Sequence, residues 1–302
     1  MSFETHCEGL PASWINAWLA AVGMTFLDAR IRLCWTENET PIAVFSAQSI
    51  DPVDALLEVW PHSDFLEELP IAARWRDQSG FERKISIERF IERVQASRTD
   101  PQNWSLSSTL TDLSVQKNGE VAHAPFDPAG PGTTKWLHHR VLKMHELVGE
   151  ATRDRLLESL RGQAPRFKNN GLGFDSSRLG SLADDSEPRI EPVIELLTFF
   201  GLAIAPMRGH GFDQRLTKRG RGNERQRGWR MRDSASEGRR FTWPVWTQPL
   251  DFAGIDALLD VWTPFDRSGW SRLGIHGGWQ SVQYKNRASA DTTRAFGAEE
   301  LD

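Results

Sequence analysis

The densest group of side chains able to do chemistry is an arginine-rich stretch at residues 208–240. It holds eleven basic and four acidic side chains, a net charge of about +7, although the whole chain carries −5. A guanidinium group binds two phosphate oxygens at once, and a concentration of such groups attracts a nucleic-acid backbone whatever its sequence. Six glycines interrupt the stretch, which favours a flexible loop, or a hairpin bordered by Trp229 and Met231, over one continuous helix.

The part of this stretch predicted to contact nucleic acid begins at residue 215. Its members are Arg215, Lys218, Arg219, Arg221, Arg225, Arg227, Trp229, Arg230, Arg232, Arg239 and Arg240. The cations are expected on phosphates, and Trp229 is a candidate for stacking on an unpaired base. A solvated loop that pairs with acidic surfaces of this chain or of a neighbouring protein explains the same charges.

Other groupings fit catalytic or metal chemistry less well. His138, His139 and His145 accompany Glu146 on a predicted helix, but the spacings to His145 are seven and six residues instead of three or four. Surface or interface histidines are therefore predicted. Residues 171–175 (Gly-Leu-Gly-Phe-Asp) lack the Lys-Ser/Thr ending of a phosphate loop, so they are predicted to form a turn.

Nuclease and thiol chemistry receive little support from the sequence. Residues 81–84 (Phe-Glu-Arg-Lys) are similar to the end of a nuclease carboxylate–lysine set, but no upstream carboxylate can be assigned to them. Cys7 and Cys34 are too few for a four-thiolate zinc site or a disulfide framework and are expected as core or surface thiols. No catalytic residue, metal site or cofactor is predicted.

The elements that must position these residues are a mixture of helices and antiparallel hairpins. Helices are predicted at residues 10–22, 53–60 (after the cap Asp51-Pro52), 136–160 with a break near Gly149, 190–200 and 255–261. Strands are predicted at 31–35, 42–45, 81–85, 241–246 and 281–285. Gly23 is placed to end the first helix, and Asn118-Gly119 predicts a hairpin turn. Because regular βαβ alternation is absent, the predicted fold class is α+β.

Composition and patterning predict a globular protein of three regions. The hydrophobic fraction of 39% and the charged fraction of 25% argue against disorder. The regions are an N-terminal α+β region at 1–128, a C-terminal α+β region at 129–286 with the basic insert 208–240, and a flexible tail at 287–302. The 13 tryptophans are expected mainly in the core. Neither a signal peptide nor a membrane-length apolar run is apparent, so a cytoplasmic location is expected.

Three pieces of the chain carry patterns shared with a known family. They are Cys-Glu-Gly-Leu-Pro at 7–11 with Trp-Leu-Ala-Ala-Val-Gly at 18–23 and a strand ending in Trp35, residues 173–178 with the apolar helix at 192–201, and Trp-Pro-Val-Trp at 243–246. In these pieces the chain resembles proteins of bacterial CRISPR type I-G (formerly I-U) effector complexes, and in particular large-subunit-like members of the Cascade assembly.

The resemblance implies a non-catalytic subunit of a ribonucleoprotein complex for antiviral defence. Such a subunit would contact the guide RNA, the target DNA and the other CRISPR effector subunits. In these assemblies base pairing reads most of the sequence, while protein reads a short flanking motif and stabilises the displaced strand. The basic stretch is the candidate for that contact. Two alternatives stay open: a metal-dependent nuclease, and a protein-interaction component whose basic loop docks on an acidic partner.

Overall fold

The structure is a computed structural model, which describes residues 2–64, 84–86, 88–89, 110–115, 119–123, 135–169, 171–172, 189–204, 229–230, 240–264, 267–285 and 293–301. The described helices are α1 (Ile15–Leu27), α2 (Pro52–Glu58), α3 (Lys135–Val148), α4 (Arg153–Leu160), α5 (Pro192–Gly201) and α6 (Phe252–Val261). The described strands are β1 (Ser2–Pro11), β2 (Arg32–Trp35), β3 (Ile42–Gln48), β4 (Lys84–Ile85), β5 (Leu110–Val115), β6 (Val121–His123), β7 (Phe167–Lys168), β8 (Arg189–Ile190), β9 (Trp229–Arg230), β10 (Arg240–Trp246), β11 (Ile275–Lys285) and β12 (Thr293–Glu300).

The strand pairs of the described residues are all antiparallel, so the predicted α+β class is confirmed. Strands β5 and β6, which flank the predicted hairpin turn, pair antiparallel, and Gly119 adopts a positive φ of 85°, whereas Asn118 lies outside the described residues. No helix in the described part of the chain is both long enough and apolar enough to cross a membrane.

The N-terminal sheet has the order β1-β3-β2. Element order β1-α1-β2-β3-α2, with β3 antiparallel to both neighbours, is that of the first five elements of a split βαβ motif. Strand β1 was not expected from the sequence. In the structure Glu4, His6 and Glu8 are exposed along it, and only Cys7, Leu10 and Pro11 are buried. An exposed edge strand therefore lacks the regular apolar alternation by which a half-buried strand is recognised.

Helix α1 lies at the centre of the molecule. Eleven of its 13 residues are buried, and they follow one another without a break from Ile15 to Thr25, so every side of the helix is covered. A helix that is buried all round needs packing partners on all sides. Its main partners are α5 and the N-terminal sheet, it also contacts α6, and Trp18 donates a hydrogen bond to the Pro244 carbonyl of β10.

Helices α1 and α5 cross at two glycines that face each other's backbone. A Cβ on Gly23 would lie 2.0 Å from the Leu197 carbonyl oxygen, and a Cβ on Gly201 would lie 1.8 Å from that of Leu19. Any side chain at either position would force the helices apart. The sequence pattern predicted Gly23 as a helix terminator, but α1 continues through it to Leu27, since the glycine serves the crossing instead.

Three buried indoles tie the two ends of the chain together. Trp243 Nε1 donates to the Ala12 carbonyl at 2.7 Å, and Trp246 Nε1 donates to that of Leu33 at 2.8 Å. In the reverse direction Trp18 Nε1 donates to the Pro244 carbonyl at 3.0 Å. Each indole thus satisfies its polar atom inside the core, as burial requires.

Most of the tryptophans in the described residues belong to one core. Eight are buried, namely Trp18, Trp35, Trp60, Trp243, Trp246, Trp262, Trp270 and Trp279. The same hydrophobic cluster runs from Cys7 to Leu301 and includes residues of both regions predicted as α+β. The expectation that most tryptophans pack in the core therefore agrees with the structure.

The C-terminal sheet has the order β12-β11-β10-β9. Strand β12 lies at one edge of this sheet and corrects the expectation of a flexible tail within 293–301: Thr293–Glu300 pairs along β11, and the buried Leu301 donates its amide to the Gly278 carbonyl at 2.9 Å. The remaining residues of the predicted tail lie outside the described part of the chain. Half of the residues of β12 are polar or charged, but backbone hydrogen bonds to the long strand β11 do not depend on apolar side chains.

Candidate nucleic-acid interface

Three of the residues predicted to contact nucleic acid lie within the described part of the chain. Trp229 and Arg230 form β9, and Arg240 begins β10. The other eight, which are Arg215, Lys218, Arg219, Arg221, Arg225, Arg227, Arg232 and Arg239, lie outside the described residues. Met231 lies outside them too. The structure therefore describes the backbone of the basic stretch at two places, residues 229–230 and residue 240.

Strands β9 and β10 bring an internal point of this stretch, at 229–230, beside its last residue, Arg240. In their antiparallel register Arg230 stands opposite Arg240, and Trp229 stands opposite Phe241. This pairing favours the hairpin interpretation of this part of the stretch over a helix. Because β9 is the outermost strand of the C-terminal sheet, the basic stretch is attached at a sheet edge.

The register separates the predicted aromatic contact from the arginine pair. Successive positions along a strand alternate between the two faces, and positions directly opposite in an antiparallel pair share a face. Trp229 and Phe241 thus share a face with Trp243 and Val245, both fully buried. Arg230 and Arg240 belong to the other face, so Trp229 and the arginine pair do not form one surface of this sheet.

Two arginines in directly opposed positions favour an anionic partner. Like charges at such positions destabilise a sheet, by about 0.2–1 kcal/mol on the scale of cross-strand pairs. A phosphate group placed between two guanidinium groups would remove the repulsion and accept charge-assisted hydrogen bonds from both. This register suits phosphate binding without base reading, since phosphate contacts position a protein and carry no sequence information.

On strand β11, the pairing with β10 identifies Gln280, a residue that the sequence pattern did not single out. Thr242 pairs with Gln280, so Gln280 lies on the same face of the sheet as the fully buried Thr242. The sequence pattern that could have placed Gln280 is the alternation of side chains along β11. That alternation assigns a residue to a particular face only after the register with β10 is known.

Of the histidine candidates on α3, His145 is the one whose side chain the structure describes, and it has a partner within the chain. His145 Nε2 lies 2.8 Å from the Pro61 carbonyl oxygen, and Glu146 pairs with Lys143 at 2.8 Å. Among the described residues no group of three or more histidine, cysteine or acidic side chains could hold a metal ion. His145 is thus a structural contact between α3 and the segment after α2, in agreement with its prediction as an interface histidine.

The glycine-containing segment predicted as a turn is a turn at Gly171 and Leu172. Gly171 has a φ of 48°, and its amide donates to Asn169 Oδ1 at 2.9 Å. The next amide, of Leu172, donates to the buried Glu195 carboxylate at 2.6 Å. A phosphate loop needs its amides for the ligand, and this amide already serves a carboxylate of the same chain.

Neither cysteine has the properties of a nucleophile. Burial raises the pKa of the Cys7 thiol far above its ordinary value, and nearby Glu8 raises it further. Burial also raises the pKa of the half-buried Cys34, with Glu4 as a second cause. Because the thiolate is the reactive form, both residues are expected to be inert thiols at neutral pH.

The nuclease candidate is described only at its last residue. Lys84 begins β4 and pairs with Ala122 of β6. Residues 81–83, which include the carboxylate Glu82, lie outside the described part of the chain. Comparison with family models, with curated proteins and with solved structures found no match to the chain.

Proposed function

We propose that the chain is a non-catalytic nucleic-acid-binding subunit of a bacterial CRISPR type I effector complex of the Cascade kind. Its partners would be guide RNA, target DNA and the other effector subunits, in the cytoplasm. The observation that carries the binding role is the opposed pair Arg230 and Arg240 at the edge of the C-terminal sheet. The CRISPR assignment rests on the sequence resemblance.

The sheet supplies what an otherwise acidic chain needs in order to bind nucleic acid. The formal net charge of the chain is −5, so attraction to phosphates requires a local concentration of cations. Residues 208–240 provide that concentration, and β9 and β10 join two points of it at one edge. A protein that holds nucleic acid beside a guide RNA needs such positioning contacts, since base pairing supplies the sequence specificity.

The direct test measures binding of a labelled oligonucleotide to the full chain by fluorescence anisotropy over a series of salt concentrations. The double variant Arg230→Gln/Arg240→Gln should bind more weakly, and the slope of log K against log salt should fall by about one for each phosphate that is no longer bound. The matched control is Arg32→Gln/Arg272→Gln, which removes the same charge from two exposed arginines outside β9 and β10. An equal loss of affinity in both double variants would show a general charge effect and would contradict a specific interface.

A second test addresses the assembly. The chain is expressed with its neighbouring genes and purified at moderate salt, and the eluate is analysed for RNA and co-purifying proteins. A discrete guide-length RNA with constant partner proteins supports the effector assignment. A chain that purifies alone and ignores nucleic acid even at low salt contradicts it and favours docking on an acidic protein. Cleavage that requires magnesium or manganese would instead establish the nuclease alternative.

A further inference from the structure

We infer that the outer edge of β1 accepts an extended segment of a partner protein as an added strand of the N-terminal sheet, and that this segment carries lysine or arginine on one face. The inference goes beyond the proposed function, because it concerns the other sheet and a protein partner instead of nucleic acid. Three observations support it: the topology of the sheet, the exposure of its edge strand, and the charge along that strand.

The topology leaves the outer edge of β1 without a described neighbour. In the order β1-β3-β2, the described residues give β1 one partner strand, which is β3. A complete split βαβ motif ends with a further strand, which lies beside the first strand and antiparallel to it. The next described strand along the chain, β4, pairs with β6 in a different sheet. Within the described part of the chain, the strand that would complete the motif is therefore missing from this edge.

The backbone of β1 is suited to pairing with another chain. Alternate residues of an edge strand direct their N–H and C=O groups away from the one neighbouring strand, and such a row is a template for a further strand. Strand β1 extends from Ser2 to Pro11, which is longer than a typical strand. Near its end the backbone at Gly9 is in close contact with the segment after α4, since a Cβ there would lie 2.5 Å from the Gly162 amide nitrogen. Residues 2–8 precede that contact and form the candidate docking edge.

The register assigns the side chains of this edge to two faces. Thr5 is level with the fully buried Phe45, so it lies on the core side of the sheet. Phe3, two residues away, shares that side at the margin of the core and is 37% exposed. Glu4 and His6 alternate with them and are exposed on the outer face. A strand added beside β1 would thus have one row of side chains next to Phe3 and another row next to these polar residues.

The charges of the edge select the chemistry of the partner. Glu4 and Glu8 are both exposed, and neither has an ion-pair partner among the described residues. Opposite charges on adjacent strands stabilise a sheet, and like charges destabilise it. A segment with lysine or arginine on one face and β-branched or apolar residues on the other is complementary to both rows. A second copy of β1 would instead bring a second pair of carboxylates to the same edge.

The first test uses the full chain and two labelled synthetic peptides with blocked ends. One is an octapeptide that alternates lysine with valine. The other has the same sequence with every amide nitrogen methylated, so it keeps the charge and loses the hydrogen-bond donors. Fluorescence anisotropy at moderate salt should show that the unmethylated peptide binds about tenfold more tightly or better, since main-chain hydrogen bonds supply the affinity of an added strand. Equal affinities would show attraction by charge alone and would overturn strand addition.

The second test reverses the charge of the edge. Glu4→Lys/Glu8→Lys should weaken binding of the lysine–valine peptide by about fivefold or more, because two attractive pairs become repulsive. The same variant should bind the corresponding glutamate–valine peptide more tightly than the wild type does. The matched control Glu39→Lys/Glu150→Lys makes the same change of net charge at two exposed carboxylates outside β1. The control should stay within about twofold of the wild type at moderate salt, and equal weakening in both double variants would overturn the assignment to this edge.

Hydrogen exchange of the wild-type chain gives a result that does not depend on a variant. In the free chain the β1 amides bonded to β3 should exchange slowly, and the alternate amides within residues 2–8 should exchange fast. Addition of the lysine–valine peptide should slow the second set by about tenfold or more. If both sets are slow in the free chain, another segment of the same chain already occupies the edge, and the inference is wrong. Fast exchange of the second set in the presence of saturating peptide would contradict it equally.

Discussion

The N-terminal and C-terminal sheets of this protein share one core but have different outer surfaces. Both pack near α1, and indole hydrogen bonds run from the C-terminal sheet to the N-terminal region: Trp243 to Ala12, and Trp246 to Leu33. The N-terminal edge strand β1 exposes Glu4, whereas the C-terminal edge carries an arginine pair. Burial thus constrains the interior strands of both sheets, whereas their edge strands differ in charge.

The largest expected effect tests whether the two sheets depend on one helix crossing. Gly201→Ala places a methyl group against the Leu19 carbonyl oxygen, where the distance to a Cβ would be 1.8 Å, so α1 and α5 must separate. We expect a loss of about 3 kcal/mol or more in the free energy of unfolding, the upper range for overpacking. Thermal unfolding should show one transition shifted down by roughly 6 °C or more.

Gly269→Ala is the matched control for this change. Nothing lies within 4 Å of a Cβ at Gly269, so its effect should stay within about 0.5 kcal/mol. Two separate transitions in Gly201→Ala, with only one of them shifted, would show that the sheets unfold independently. That result would contradict the view that they share one core.

A smaller effect is expected from the hydrogen bonds that join the sheets. Trp243→Phe leaves the buried Ala12 carbonyl without its 2.7 Å donor, whereas Trp35→Phe removes a buried indole nitrogen that has no hydrogen-bond partner in the described residues. Both variants lose similar volume. Trp243→Phe should therefore cost about 1–2 kcal/mol more than Trp35→Phe, measured by the shift of the thermal transition. Equal losses would show that these indoles contribute by packing alone.

Several helices and strands of this core could be predicted from the sequence, but the long-range contacts between them could not. Apolar spacing predicted α1 and α5, and the alternating run at 31–35 with its return predicted β2 and β3. The reciprocal contact of Gly23 and Gly201 is long-range, and no local pattern distinguishes a glycine that permits a crossing from one that ends a helix. Strand β1 was missed for a related reason, since hydrogen bonds to β3 hold it while most of its side chains face water.

The position of the candidate interface in the sequence could be predicted from charge, but the face of the sheet on which each residue lies could not. Arginine density identified the stretch at 208–240, and Trp229 was chosen as its aromatic because it is adjacent in sequence. Adjacent residues in a strand lie on opposite faces, so the pairing with Phe241 separates Trp229 from Arg230. Gln280 is roughly 40 residues from Arg240 in the sequence, and only its pairing with Thr242 brings it next to the strand that begins at Arg240.

The smallest expected effect concerns His276, which lies at the contact between the two sheets. It is the extra residue where the β10–β11 register shifts, between the pairs Val245–Gly277 and Trp246–Ile275. Burial lowers the pKa of His276, although Glu37 and a hydrogen bond to the Trp35 backbone act in the opposite direction. The pKa in the folded state is therefore below its ordinary value of 6.5, and the unfolded chain takes up a proton first.

The free energy of unfolding should consequently decrease as the pH is lowered from about 6.5 to the folded-state pKa of His276. Above about pH 6.5 the imidazole is neutral in both states and does not affect the free energy of unfolding. As the pH falls below that value, protonation of the unfolded chain draws the equilibrium away from the folded state, until the folded-state pKa is passed. Thermal transitions of the wild type measured from about pH 7.5 to about pH 5.5 should decline more steeply than those of His276→Gln. Parallel curves for the two proteins would show that another histidine controls the decline, and that this contact between the sheets does not sense pH.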